Sequence, residues 1–166
     1  MYTNDFAVAN NVLGSISLER GNLWQKISAF HDKIIEAGGI KHECGSPQSK
    51  EFQEIAPLKQ HLEGGLYTRE IFMPKGSIVV SMIHKQQHPS FLLKGKLSYL
   101  TDEGEVVTIE APHKIFTQIG TQRVLYMHED SEWCCVYKTD AQNFEEAEAD
   151  VYTMDYKEII NILKTT

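Results

Sequence analysis

The sequence is short of positive charge, of cysteine and of long apolar runs, and each shortage closes off a class of function. Sixteen Lys and Arg stand against 23 Asp and Glu, for a net charge of −7. A chain so acidic has no basic stripe to lay along a phosphate backbone, so nucleic acid is not an expected partner. A small anion held by one or two local cations stays open. The three cysteines, Cys44, Cys134 and Cys135, are odd in number and irregular in spacing, which is no disulfide framework. They read as reduced thiols of a cytosolic protein, and the adjacent pair, in a strand-like stretch, should point to opposite faces. No apolar run approaches membrane-spanning length. The opening MYTNDFAVANNVLG has no basic residue ahead of its short apolar run, unlike a secretory signal. A cytoplasmic protein without a membrane partner is expected. Internal repeats and low-complexity tracts are lacking too.

What is present fits one globular domain. The 166 residues are 42% hydrophobic and 23% charged, enough to bury a core without staples. Residues 1–21 show no period and suggest an arm packed on the domain or on a partner. From 22 to 37 the apolar residues Leu23, Trp24, Ile27, Phe30, Ile34 and Ile35 fall on one helical face, and Gly38-Gly39 ends the helix. Residues 41–50 read as a polar loop, and 52–62 as a short helix or irregular turn. From Leu66 the period changes. Strands are expected over 66–73, 77–84, 91–94, 96–100, 106–110, 114–118, 122–128 and 132–138, with a hairpin turn at Asp102-Glu103-Gly104. Short helices follow at 144–149 and 156–163. The expected division is an N-terminal helical extension over 1–65, a β-domain over 66–138 and a C-terminal helical tail over 139–166.

Chemistry concentrates in GSIVVSMIHKQQHPSFLLKG, residues 76–95. Residues two apart in a strand share a face, so Met82 and His84 should look into the same interior. His88 should re-enter on the next strand after Lys85-Gln86-Gln87. Arg123, after Gln118-Ile119-Gly120, should reach that interior from a neighbouring strand.

This stretch resembles the first motif of the cupin superfamily (RmlC-like jelly rolls), which runs Gly, five residues, His-x-His, three or four residues, Glu, six residues, Gly. Gly76 and Gly95 take the two glycines at full spacing and His84 takes the second His. Met82 stands in place of the first His, and His88 in place of the Glu. A weaker second motif lies at Gly120, with Gln118 where the family has Pro and Arg123 where it has His. The resemblance spans 66–138, and the block is also similar to cupin-like proteins of bacteriophage genomes. It implies a mainly β fold, the cupin-type double-stranded β-helix or jelly-roll barrel, here with an N-terminal helical extension and short C-terminal helices. For a phage-encoded chain it implies the host cytoplasm.

Cupins commonly hold a divalent metal (Zn, Fe, Mn or Ni) on three His and one Glu. Here His84 and His88 could supply two nitrogens, and His128 a third if a bulge turns it inward; without one it shares an outer face with Tyr126. Met82 is a poor ligand for such metals, and Arg123 repels them. Three functions follow. The first is a small-molecule binding module in which Arg123, His84, His88 and Met82 hold an anionic ligand. The second is a metal-dependent enzyme of the isomerase, epimerase or dioxygenase kind, which leaves enzymatic activity undecided. The third is a structural protein with a vestigial pocket. For Arg123 the alternative to an anion clamp is an internal salt bridge to Glu70, Glu110 or Glu129. Surface positions are expected for His31, His42, His61 and His113, and core positions for Trp133 and Tyr137. A homodimer is expected, through residues 1–21 or the 159–163 face.

Overall fold

The structure, a computed structural model, describes residues 23–165. Helix α1 spans Leu23–Glu36 and α2 spans Lys50–Ile55, the latter capped by the Ser49 side chain, which accepts from Phe52 N–H. Eleven strands follow among the described residues: β1 (Leu58–Glu63), β2 (Leu66–Met73), β3 (Ile78–Val80), β4 (Ile83–His84), β5 (His88–Lys94), β6 (Lys96–Leu100), β7 (Val106–Glu110), β8 (His113–Thr117), β9 (Val124–Met127), β10 (Ser131–Lys138) and β11 (Tyr152–Thr153). Helices α3 (Phe144–Val151) and α4 (Tyr156–Thr165) flank β11.

One sheet has the order β1-β2-β10-β5-β8, a second β3-β9-β6-β7, and β4 pairs with β11 in a small ribbon. All pairings are antiparallel. Setting β1, β4 and β11 aside, the chain alternates between the sheets except at the β6–β7 hairpin, and its first and last strands, β2 and β10, lie side by side. The remaining eight strands form two interleaved four-stranded sheets, which is the jelly roll.

Alternation decides what faces inward. On β2, Tyr67, Arg69 and Met73 are buried, and on β10 so are Trp133, Cys135 and Tyr137. Register puts Tyr67 opposite Tyr137, Arg69 opposite Cys135, Cys135 opposite Ser90 and His88 opposite Thr117. With Leu97, Leu125 and Met127 from the second sheet these residues form the core. Leu23 and Ile27 of α1 cover Leu100 and Val124 on the other face of that sheet. Trp24 donates to the Gly120 carbonyl at 3.2 Å and stacks on Tyr156 at 4.6 Å.

Both motif glycines sit at positive φ, 82° for Gly76 and 87° for Gly95. At Gly95 a Cβ would lie 2.4 Å from the Asp130 carbonyl oxygen. The turn between β5 and β6 therefore needs glycine for both conformation and space.

Three boundaries differ from expectation. Residues 58–63 form an edge strand rather than a helix or turn, paired with β2 from Leu58↔Ile71 to Glu63↔Leu66. Their alternation is half-buried against exposed, because only one face meets the core. The first sheet thus begins inside the segment assigned to the extension, and β11, in the assigned tail, pairs with His84. The expected 77–84 strand is broken at Ser81-Met82. Ser81 N–H donates to the Arg123 carbonyl and Ser81 Oγ accepts from Arg123 N–H, both at 2.8 Å, after which the chain leaves the second sheet to meet β11.

Of the surfaces expected to dimerise, residues 1–21 lie outside the described residues. Ile159 is buried within the chain, whereas Ile160 and Leu163 are exposed. No described helix is long and apolar enough to cross a membrane.

Candidate ligand-binding site

A cleft of about 430 Å³ opens between the sheets and the helical segment. Its deep wall includes Arg69, His84, Arg123, Trp133 and Cys135, all buried. Its mouth is formed by the end of α1, the loop after it and α2. Met82 and His84 both line the cleft, although the strand expected to carry both is broken at Ser81-Met82. His88 does not line it and lies one layer behind, its ring 4.7 Å from that of His84.

The hydrogen bonds of His88 have a readable direction. Nδ1 lies 3.0 Å from the Gln86 carbonyl, which only accepts, so Nδ1 carries the proton. Nε2 is then an acceptor, taking the Ser90 hydroxyl proton at 3.1 Å. Ser90 in turn accepts from Thr117 at 2.8 Å, and Thr117 accepts from Arg123 Nη2 at 3.1 Å. A chain of donors thus runs from Arg123 to the Gln86 carbonyl and engages both nitrogens of His88. His84 Nδ1 is bonded to the Tyr137 hydroxyl at 3.0 Å, and that hydroxyl donates to Tyr152 at 2.5 Å. His84 Nε2 has no partner among the described residues.

Burial pushes the His84 pKa well below its ordinary 6.5, with His88, Arg123 and Arg69 adding repulsion. Burial also pushes His88 down, to about 4; the Gln86 carbonyl opposes the shift and Arg123 supports it. Both rings are therefore neutral at pH 7.

Arg123 is 6% exposed. Its guanidinium lies 5.5 Å from the Tyr99 ring centre and 5.9 Å from that of Trp133, a stacked setting that suits a weakly hydrated cation. It makes no ion pair among the described residues. The internal salt bridge weighed for it is not formed: Glu70 pairs with Lys59 at 2.8 Å, and Glu110 faces Lys96 at 3.9 Å.

A second buried arginine, Arg69, was not legible as a site residue. It pairs with Glu148 of α3 and lies 5.2 Å from the Tyr152 ring centre. Glu148 also accepts from His42 Nε2 at 2.9 Å and from Gly45 N–H at 2.8 Å. Burial pushes the Glu148 carboxyl up, but the His42 hydrogen bond and the Arg69 charge outweigh it and hold it below the usual range. His42, expected on the surface, instead has a side chain only 8% exposed, because this carboxylate draws the 41–45 loop inward. His61 and His113 are exposed, and His31 is half-buried. Trp133 and Tyr137 are buried as expected, Cys134 and Cys135 point to opposite faces, and all three cysteines are free.

His128 is not brought to His84 and His88. Its Nε2 lies 2.7 Å from Ser98 Oγ, and it packs edge-on against Tyr126 at 5.2 Å, so β9 runs without the bulge that would turn it inward. Among the described residues no three His, Cys, Asp or Glu side chains are grouped to hold a metal. With His88 engaged at both nitrogens, a thioether at Met82 and a permanent cation at Arg123, the residues do not fit a divalent transition metal.

No protein-family model and no curated protein matches the sequence. Solved structures of similar shape include a cupin domain of an XRE-family transcriptional regulator from Enterobacter cloacae, 12% identical, covering 52% of this chain and 98% of that one at a TM-score of 0.44. Ectoine synthase from P. lautus is 12% identical over 58% of this chain and 71% of its own, at 0.47. The EutQ protein of Clostridium difficile is 16% identical over 52% and 70%, at 0.42. The fold assignment stands on this chain's own strand order, to which such values add no weight. By that order, the chain has a jelly-roll fold.

Proposed function

We propose that the cleft is a binding site for a small anionic molecule and that Arg123 is its anchor. The observation that carries this reading is a guanidinium buried to 6% exposure on the cleft wall, with a single hydroxyl as its side-chain hydrogen-bond partner and no paired carboxylate among the described residues. A buried charge without a counter-charge is unfavourable by several kcal/mol, and a bound carboxylate or phosphate group removes that penalty. Arg69 supports the reading by contrast, since its charge is already met by Glu148. His84 adds a neutral imidazole whose Nδ1 donates to the Tyr137 hydroxyl, which leaves Nε2 as an acceptor for a hydroxyl or amide proton of the same ligand.

Titration calorimetry with inorganic phosphate and small carboxylates, on wild type and Arg123→Met, tests this. Binding weakened by about 2–5 kcal/mol in the variant is expected for a desolvated charge pair. Equal binding by both proteins would defeat it.

A further inference from the structure

The cleft changes character from floor to mouth. The floor carries its charge and hydrogen-bonding groups, Arg123, His84 and Arg69, all buried. The throat and mouth are mostly apolar, with His31, Lys41, His42, Ser77 and Ser81 as the polar side chains on the lining. Ile71 and Val79 come from the sheets, and Ile34, Ile35, Phe52 and Ile55 from the two helices. Ile55 is 48% exposed although it sits beside an apolar cavity. The cation at the mouth, Lys41, is paired with Glu43 at 2.7 Å and exposed to solvent, so a charge met there stays in water, unlike one met by the buried Arg123. An inorganic anion would fill the floor and leave the apolar throat wet.

We propose that the ligand is an amphipathic carboxylate, its head on Arg123 and its hydrocarbon body running up the throat to the Ile34–Ile55 side of the mouth. The proposal rests on the anion reading and adds the body. The jelly roll supplies the head site and the helical segment supplies the tail site. A volume near 430 Å³ lies in the lower part of the range for small-molecule pockets and suits a medium-length chain or an aryl group.

The test is an affinity series: acetate, butyrate, hexanoate, octanoate and decanoate, with octan-1-ol and inorganic phosphate as controls, followed by calorimetry or by the fluorescence of Trp133. Burial of each methylene is expected to tighten binding about three- to fourfold until the throat is full. Arg123→Met should weaken every carboxylate while keeping that slope. Ile55→Ser, at an exposed position that the fold tolerates, should weaken decanoate several-fold and leave phosphate unchanged. Phosphate and acetate binding as tightly as octanoate would overturn the amphipathic ligand while leaving the anion site standing. Octan-1-ol matching octanoate, with no effect of Arg123→Met, would overturn both. An unchanged decanoate affinity in Ile55→Ser would overturn the placement of the tail.

Discussion

Arg69 and Arg123 are chemically the same side chain, similarly buried at 7% and 6% exposure, and both wall the same cleft. Each lies against aromatic rings, Tyr152 for one and Tyr99 with Trp133 for the other. They differ in what answers the charge. Arg69 faces Glu148, itself fixed by His42 and Gly45, so that β2, α3 and the 41–45 loop are tied together. Arg123 forms no ion pair among the described residues and donates from its side chain to the Thr117 hydroxyl. A buried cation that is part of the scaffold brings its own anion, whereas on the reading proposed above one without an anion takes it from a ligand.

The comparison breaks most sharply at the carboxylate. Glu148→Gln leaves Arg69 buried and uncompensated, and a loss of about 3–5 kcal/mol of stability is expected in urea denaturation. A loss below about 1 kcal/mol would make the two arginines equivalent after all.

Arg123→Met should do the opposite. It removes a lone buried charge and retains much of the apolar stem, so the melting temperature of the ligand-free protein should hold or rise, within about 1 kcal/mol. The whole effect should fall on ligand affinity, by about 2–5 kcal/mol. A large fall in melting temperature would assign Arg123 to the scaffold.

Acid sharpens the contrast, because burial holds the imidazoles on the Arg123 side neutral, whereas His42 and Arg69 hold Glu148 ionised. The His88 pKa falls on folding from 6.5 to about 4, so the unfolded chain binds the proton more readily. The stabilisation is full above pH 6.5 and is lost as pH falls from 6.5 towards 4, by about 2–3 kcal/mol for this ring. His84 shifts in the same direction and adds to the loss. Glu148 is held ionised, so its share is present above its ordinary 4.5 and disappears only at lower pH. Denaturation midpoints measured from pH 7.5 to 3.5 should therefore begin to fall near 6.5. In Arg123→Met the first stage should be shallower, since one source of repulsion on both rings is gone. A midpoint flat down to pH 5 would contradict the neutral buried imidazoles.

The smallest effect belongs to the chain that leads from Arg123 to His88. Ser90→Ala leaves His88 Nε2 without its donor and Thr117 without its acceptor, and about 1–2 kcal/mol of stability should be lost. Unchanged stability would mean that water restores both bonds.

Much of the β-fold was legible because alternation and glycine are local signals. The period-2 runs located β2, β6, β7 and β10 to within a residue or two, and the Gly76–Gly95 frame set His84 and His88 in register. Strand β1 was missed because LKQHLE is an edge strand whose alternation is polar against weakly apolar. Of the site, Met82, His84 and Arg123 were recoverable from the motif. Arg69 had a signal that went unused: a lone charge on the inward face of β2, between Tyr67 and Met73, marks a residue that must find a buried partner.

Most strands and their inward faces are local properties, because pleat, turn chemistry and hydrophobic periodicity act over a few residues, and the likeness to the cupin motif adds His84 and Arg123 to that inward face. The sequence alone could not determine which arginine is neutralised. Glu148 reaches Arg69 across 79 residues, and His42 reaches Glu148 across 106. Only the packing of α3 and the 41–45 loop against β2 brings them together. Arg123 is left without an ion pair among the described residues for the same reason: Asp102 and Glu103 line a hollow with it, but Asp102 accepts from the Thr121 hydroxyl instead, and that is a property of the assembled fold rather than of any segment.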